Sequence, residues 1–111
     1  MDTTTDSLEQ KLRDLERIFV SKLPGKLEEI NAVNVRFVAA PDAQENFATL
    51  HRLLHALAGS AGTFGFHEVG QNARILESEM KAHAHDATWK IEQSRDFSER
   101  VARFVEGAMP K

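Results

Sequence analysis

The chain contains no cysteine, and this absence removes disulfide bridges and thiol chemistry from its 111 residues. The N-terminus lacks the basic and apolar blocks of a signal peptide, and no stretch approaches the roughly 18 apolar residues of a membrane span. The formal net charge is -3 with acidic and basic residues intermixed, which argues against a nucleic-acid partner because phosphates favour a basic face. We therefore expect a soluble, cytoplasmic protein that binds neither membranes nor nucleic acid.

The sequence gives no support for β-strands. No segment alternates apolar and polar residues with a period of two, and there are no internal repeats. Apolar residues instead recur every three or four positions, the spacing of amphipathic helices. The predicted core positions are Leu8, Leu12, Leu15, Phe19, Leu23, Leu27, Ile30, Phe37, Phe47, Leu50, Leu54, Leu57, Ala61, Phe66, Val69, Ala73, Leu76, Met80, Ile91, Phe97, Val101, Phe104 and Ala108.

Proline and glycine divide this helical pattern into segments. Pro24-Gly25 predicts a break near residues 22–24, because proline disfavours the helical conformation of the residue before it. A continuous but kinked helix is the alternative. Residues 39–42 predict a turn in which Asp42 caps the next helix, and Gly65 predicts a reversal of the chain.

Two further expectations complete the predicted architecture. Residues 1–6 are expected to be frayed, with Asp6 or Ser7 capping the first helix, and residues 84–88 are expected to form the last connection. Short connections between amphipathic helices imply antiparallel neighbours. Residues 1–111 are thus predicted to form one all-α domain, an antiparallel up-and-down four-helix bundle with an additional N-terminal helix that covers one end.

His55 stands at the edge of the predicted inward face of its helix, about 100° from the centre of the apolar stripe. Its neighbours on the helix surface include four small residues, Ala48, Ala58, Gly59 and Gly62, with His51 and Arg52 one turn towards the N-terminus. Glycine inside a helix costs about 0.5–1 kcal/mol relative to alanine. Two glycines beside one histidine therefore indicate a surface that another molecule must approach closely.

The segment from His55 to Phe66, H-A-L-A-G-S-A-G-T-F-G-F, resembles the signature of histidine-containing phosphotransfer (HPt) domains, H-x-L-K-G-[SG]-[AS]-G followed by a G-[FL] turn. The chain departs from this signature at Ala58, where lysine is usual. The resemblance implies a helical bundle and a phosphoacceptor role for His55, whose neutral imidazole is a competent nucleophile. The implied partners are receiver domains and a sensor histidine kinase, with any Mg²⁺ on the receiver, and the chain itself is expected to be a monomer.

The resemblance also implies roles for residues near His55. Glu77 occupies the family position that accepts a hydrogen bond from Nδ1 of the motif histidine and leaves Nε2 free to attack. From the residues alone, Glu77 could instead pair with Lys81 four positions later. Because Ala58 cannot cover a phosphoryl group, we expect Arg52 or Lys81 to supply the stabilising charge.

Two other functions fit parts of the pattern. His51 and His55 have the spacing of zinc-binding helices, but Arg52 stands where those enzymes hold a glutamate, and no third ligand is evident, although His67 could fold near. No metal is therefore expected, and the crowded His51 is the weaker candidate acceptor. The second alternative is a bundle that has lost phosphotransfer and inhibits a kinase or response regulator, for which Ala58 is the only support.

Overall fold

In a computed structural model, which describes residues 3–110 with side chains from residue 6 onward, the chain forms five α-helices and no strand. The helices are α1 (Thr3–Ala39), α2 (Gln44–Thr63), α3 (His67–Ala82), α4 (Ala87–Glu92) and α5 (Ser94–Ala108). Helix α1 packs against α2 and α5, and α3 packs against the same two helices. The predicted all-α class and four-helix bundle are confirmed. Within the described residues, no helix combines the length and hydrophobicity needed to cross a bilayer.

The core of the bundle is formed by the apolar stripes of α1, α2, α3 and α5, closed at one end by α4. Phe37 and Phe97 meet edge to face, with ring centroids 6.2 Å apart, and Trp89 of α4 packs edge-on against Phe97 at 5.3 Å. Fully burying one such side chain stabilises the folded state by about 1.5–3 kcal/mol. A buried polar bond, from Asn34 Nδ2 to the carbonyl oxygen of Ser98 at 2.9 Å, joins α1 to α5. The stripe predicted for α2, from Phe47 to Ala61, is buried throughout.

The break predicted near residues 22–24 is wrong, because α1 runs through Pro24 without interruption. Proline in a helix interior removes one backbone hydrogen bond and costs about 3 kcal/mol. Leu23 and Leu27 on either side of it are nevertheless buried in the core, and the inward register continues across it. Packing of the core-facing side chains therefore outweighs the local preference of proline. The predicted additional N-terminal helix is not separate, because it is continuous with the first helix of the bundle.

Residues 6–18 of α1 are exposed throughout and extend beyond the bundle, so this part of the helix does not cover one of its ends. Phe19 is the first core residue of α1, and it contacts Phe64 and Phe66 with ring centroids 5.6 and 5.0 Å away. Leu8, Leu12 and Leu15 were predicted to lie in the core, but they are exposed. Helical periodicity shows which face is apolar, not where the neighbouring helices end. The molecule is accordingly elongated, with extents of 61 × 25 × 21 Å.

Three predictions at helix ends also need correction. Thr3 to Asp6 are helical, so the fraying expected for these residues is wrong. Asp6 and Ser7 lie inside the helix and therefore do not cap it. Residues 1 and 2 lie outside the described chain. Helix α2 is capped by Ala43 without a side-chain bond, one residue later than the predicted Asp42.

The connection into α4 begins at His83, slightly before its predicted start. The ring of His83 stacks on Trp89 at 5.0 Å, while Asp86 caps α4 by accepting the Trp89 N–H at 3.0 Å. That backbone hydrogen bond, with help from His83, holds the pKa of Asp86 below its usual range. Trp89 thus fills the core in this segment, and Ile91, predicted to be buried, is exposed.

The turn between α2 and α3 sets how closely these two helices approach. Gly65 has a φ of +84°, which reverses the chain as predicted. Further along α3, a Cβ on Gly70 would lie 3.2 Å from the backbone nitrogen of Gly62 and 3.3 Å from the carbonyl oxygen of Ala58. Only a residue without a Cβ therefore fits at position 70 without a shift of backbone.

Replacing Pro24 with alanine is expected to raise the free energy of unfolding by about 1–3 kcal/mol, because it restores a backbone N–H within a continuous helix. Urea denaturation followed by circular dichroism measures this change. Pro41→Ala, in the turn before α2, is the control and is expected to lose about 0.4–1 kcal/mol through the unfolded state. If Pro24→Ala instead lowered the free energy of unfolding as much as Pro41→Ala does, the result would contradict an uninterrupted α1.

Candidate functional site

His55 lies on the exposed side of α2 beside a carboxylate from α3. Its side chain is 72% exposed, and its Nδ1 is 3.0 Å from Oε1 of Glu77, whose side chain is only 13% exposed. Antiparallel packing of α2 and α3 brings these two residues together although 22 positions separate them in sequence. The structure thus places a largely exposed imidazole in contact with a largely buried carboxylate.

The contact between Nδ1 of His55 and Oε1 of Glu77 is compatible with one tautomer of the imidazole. An ionised carboxylate can only accept hydrogen bonds, so Nδ1 carries the proton and donates it to Glu77. Nε2, on the other side of the ring, then keeps its lone pair. The arrangement resembles the carboxylate–imidazole contact of a Ser-His-Asp triad, in which the carboxylate stabilises the imidazolium.

The small residues around His55 leave space above the helix. A Cβ added to Gly59 or Gly62 would meet no atom within 4 Å, so packing within this chain does not require glycine at either position. Ala58, by contrast, is buried between the helices. Gly59 and Gly62 thus leave open space on the exposed side of α2 next to His55.

A groove of about 410 Å³ lies between α2 and α3 next to this surface. Ala58 and Gly62 line it from α2, and Gly70 and Arg74 line it from α3, with His67 and Gln71 at its edge. Arg74 was not identified from the sequence, although its position three residues before Glu77 on the same helix could have indicated it. Arg74 and Ala58, the alanine that replaces the usual lysine, thus line the same groove. A second groove of about 440 Å³ lies between α3 and α5, away from His55.

Arg52 and Lys81, the two cations predicted from the sequence, are both exposed. Among the described residues, neither has a carboxylate within ion-pair distance, and Glu77 contacts imidazoles instead of Lys81. The alternative pairing of Glu77 with Lys81 is therefore not the arrangement in this structure.

His51 approaches the same carboxylate oxygen from one turn earlier on α2. Its Nε2 is 3.2 Å from Oε1 of Glu77, and its ring is nearly parallel to that of His55, with centroids 6.3 Å apart. The contact lies within ion-pair range but outside hydrogen-bond geometry, and Nε2 is buried with no hydrogen-bond partner in the described part of the chain. Within residues 3–110, no cluster of three or more histidine, cysteine or acidic side chains is placed to hold a metal ion.

Comparison with known proteins identifies the family. A family model described as the Hpt domain matches residues 3–107, which include the His55 motif and Glu77. No curated protein and no solved structure matches the chain. The match covers nearly the whole bundle. It agrees with the exposed His55, the small residues beside it and the neighbouring carboxylate of Glu77. The chain therefore belongs to the Hpt domain family, whose members carry out histidine phosphotransfer in phosphorelay signalling together with kinases and receiver domains.

Proposed function

We propose that this chain is a phosphorelay intermediate in which His55 accepts a phosphoryl group from a receiver-domain aspartate, or from a kinase, and passes it to another receiver aspartate. The observation that carries the proposal is the exposed imidazole whose Nδ1 lies 3.0 Å from the shielded carboxylate of Glu77. This arrangement prepares a nucleophile and encloses no substrate pocket. Such a site suits a protein whose reaction partner is another protein.

The transfer step follows from this geometry. The Nε2 lone pair attacks the phosphorus of the aspartyl phosphate, the N–P bond forms, and the P–O bond to the aspartate breaks with its electron pair left on the carboxylate. The proton stays on Nδ1, so the product is an imidazolium held against Glu77. The same positive charge makes the ring a good leaving group when the next aspartate attacks. Any Mg²⁺ belongs to the receiver, where it neutralises the phosphoryl oxygens.

The proposal extends to the rest of the chain. Residues 1–111 act as one monomeric phosphotransfer domain, located in the cytoplasm with the receivers that the family resemblance implies. The docking face consists of the exposed Gly59 and Gly62 on α2 together with the facing side of α3, whereas Ala58, which was predicted to belong to this face, is buried. A flat face of small residues permits the close approach that in-line attack requires.

A panel of ³²P-labelled receiver domains tests the proposal. The chain is incubated with each phosphorylated receiver, and labelled protein is treated with acid and with alkali. We expect transfer from at least one receiver to give a label that is lost in acid and kept in alkali, the behaviour of phosphohistidine. The alternative function, an inhibitor of a kinase or regulator suggested by Ala58, predicts receiver binding without label.

Three exposed cations surround the site and are proposed to replace the usual lysine. Arg74 lines the same groove as Ala58, Arg52 lies one turn before His55 on α2, and Lys81 lies one turn after Glu77 on α3. Removing a cation that faces the transferring phosphoryl group is expected to lower the transfer rate about three- to tenfold, with Arg74→Ala showing the largest loss. Single-turnover transfer to each alanine variant measures this effect. Arg95→Ala, an exposed arginine on α5, is the control, and equal rates for all four variants would contradict the proposal.

A further inference from the structure

We infer that His51 is a positioning residue for phosphotransfer, which holds the Glu77 carboxylate against Nδ1 of His55 through its own Nε2–H. The inference rests on the proposed function of His55 and extends it to a residue that does not touch the phosphoryl group. His51 acts through Glu77 alone.

The first argument is that two imidazoles share one oxygen. Oε1 of Glu77 is 3.0 Å from Nδ1 of His55 and 3.2 Å from Nε2 of His51. A carboxylate oxygen has two lone-pair directions and can accept from two donors at once. The four-residue spacing on α2 brings both rings to the same side of the helix, where they lie nearly parallel, with an interplanar angle of 18°.

The second argument concerns the proton on His51. Its side chain is 30% exposed, but Nε2 itself is buried and has no hydrogen-bond partner among the described residues. A lone pair on Nε2 would face the carboxylate at 3.2 Å and repel it, whereas a proton there makes the contact attractive. The Nε2–H tautomer is therefore favoured, and a small reorientation of the ring completes the hydrogen bond.

The third argument is that Glu77 needs a second support. Its only hydrogen bond within the described chain is the one to His55, and Lys81 does not engage it. Without His51, the exposed imidazole of His55 would be the only polar side chain in contact with this carboxylate among the described residues. Contact with His51, whose side chain is 30% exposed against 72% for His55, gives the carboxylate a second partner that is less accessible to solvent.

Two variants of His51 separate positioning from simple packing. His51→Leu fills similar space without a donor, whereas the amide N–H of His51→Gln reaches about as far as imidazole Nε2–H. We expect single-turnover transfer to His51→Leu to be about tenfold slower than to wild type, and transfer to His51→Gln to stay within about threefold of it. Equilibrium unfolding of each variant shows that the comparison is made between folded proteins.

A second readout is independent of phosphotransfer. ¹⁵N chemical shifts of His55 report which ring nitrogen carries the proton in the unphosphorylated protein. We expect His51→Leu to increase the Nε2–H form of His55 and His51→Gln to restore the Nδ1–H form. Unchanged tautomers and a wild-type rate in His51→Leu would overturn the inference, as would a Gln variant as impaired as the Leu variant. Absence of label on the wild type would instead reject the proposed function, and the tautomer measurement would still decide whether His51 holds Glu77.

Discussion

Replacing His55 with glutamine is expected to abolish labelling by a phosphorylated receiver, a fall of at least about a thousandfold in the transfer rate. Glutamine keeps a polar side chain of similar reach, but its amide nitrogen has no nucleophilic lone pair. Because the side chain at this position is 72% exposed, the substitution should change the free energy of unfolding by no more than about 0.5 kcal/mol. Radiolabel transfer and urea denaturation on the same preparation measure the two effects.

His85→Gln is the matched control for this experiment. His85 is also an exposed histidine, but it lies in the connection before α4 and has no contact with Glu77. The control should accept label at the wild-type rate. If His55→Gln retained acid-labile label, His55 would not be the acceptor, and the neighbouring His51 would have to be tested next.

The second large effect is expected at Glu77. Glu77→Ala should slow phosphotransfer about a hundredfold, because it removes both the acceptor that fixes the tautomer of His55 and the negative charge that stabilises the imidazolium. Glu77→Gln keeps a carbonyl acceptor for Nδ1–H but loses the charge, so its rate should fall only about tenfold. Pre-steady-state transfer from one labelled receiver gives both rates.

Glu68→Gln, an exposed carboxylate on the same helix, controls for loss of negative charge on α3. It should leave the transfer rate unchanged. If Glu77→Ala and Glu77→Gln were equally slow, the charge would account for the whole effect, and the tautomer would contribute nothing. A wild-type rate in Glu77→Ala would remove Glu77 from the mechanism altogether.

Much of the fold could be predicted because helical periodicity is a local property. The stripe from Phe47 to Ala61 was identified correctly, since all five of its predicted positions are buried. The error at Pro24 has a different origin, because the preference of proline is local while the packing of Leu23 and Leu27 that overrides it is not. Likewise, the sequence of α1 does not reveal that the bundle ends at Phe19.

The site was predictable to a smaller extent. His55 and its small neighbours could be recognised within one helix, and Glu77 followed from the family resemblance; their chemical roles stay predictions until transfer is measured. Arg74 could have been proposed from its position three residues before Glu77 but was not, and the contact of His51 with Glu77 could not be found in this way. That contact depends on the register between α2 and α3, which the close approach at Gly70 determines and which no single segment encodes.

The close approach at Gly70 makes the reactive pair depend on the assembly of the bundle. His55 and Glu77 belong to different helices, and their 3.0 Å contact exists only while α2 and α3 stay packed near Gly62 and Gly70. A partly opened molecule would still display a histidine to its partners, but that histidine would lack its oriented lone pair. Phosphotransfer through this domain would therefore be restricted to completely folded molecules. Partly opened molecules would lose phosphotransfer before they unfold completely.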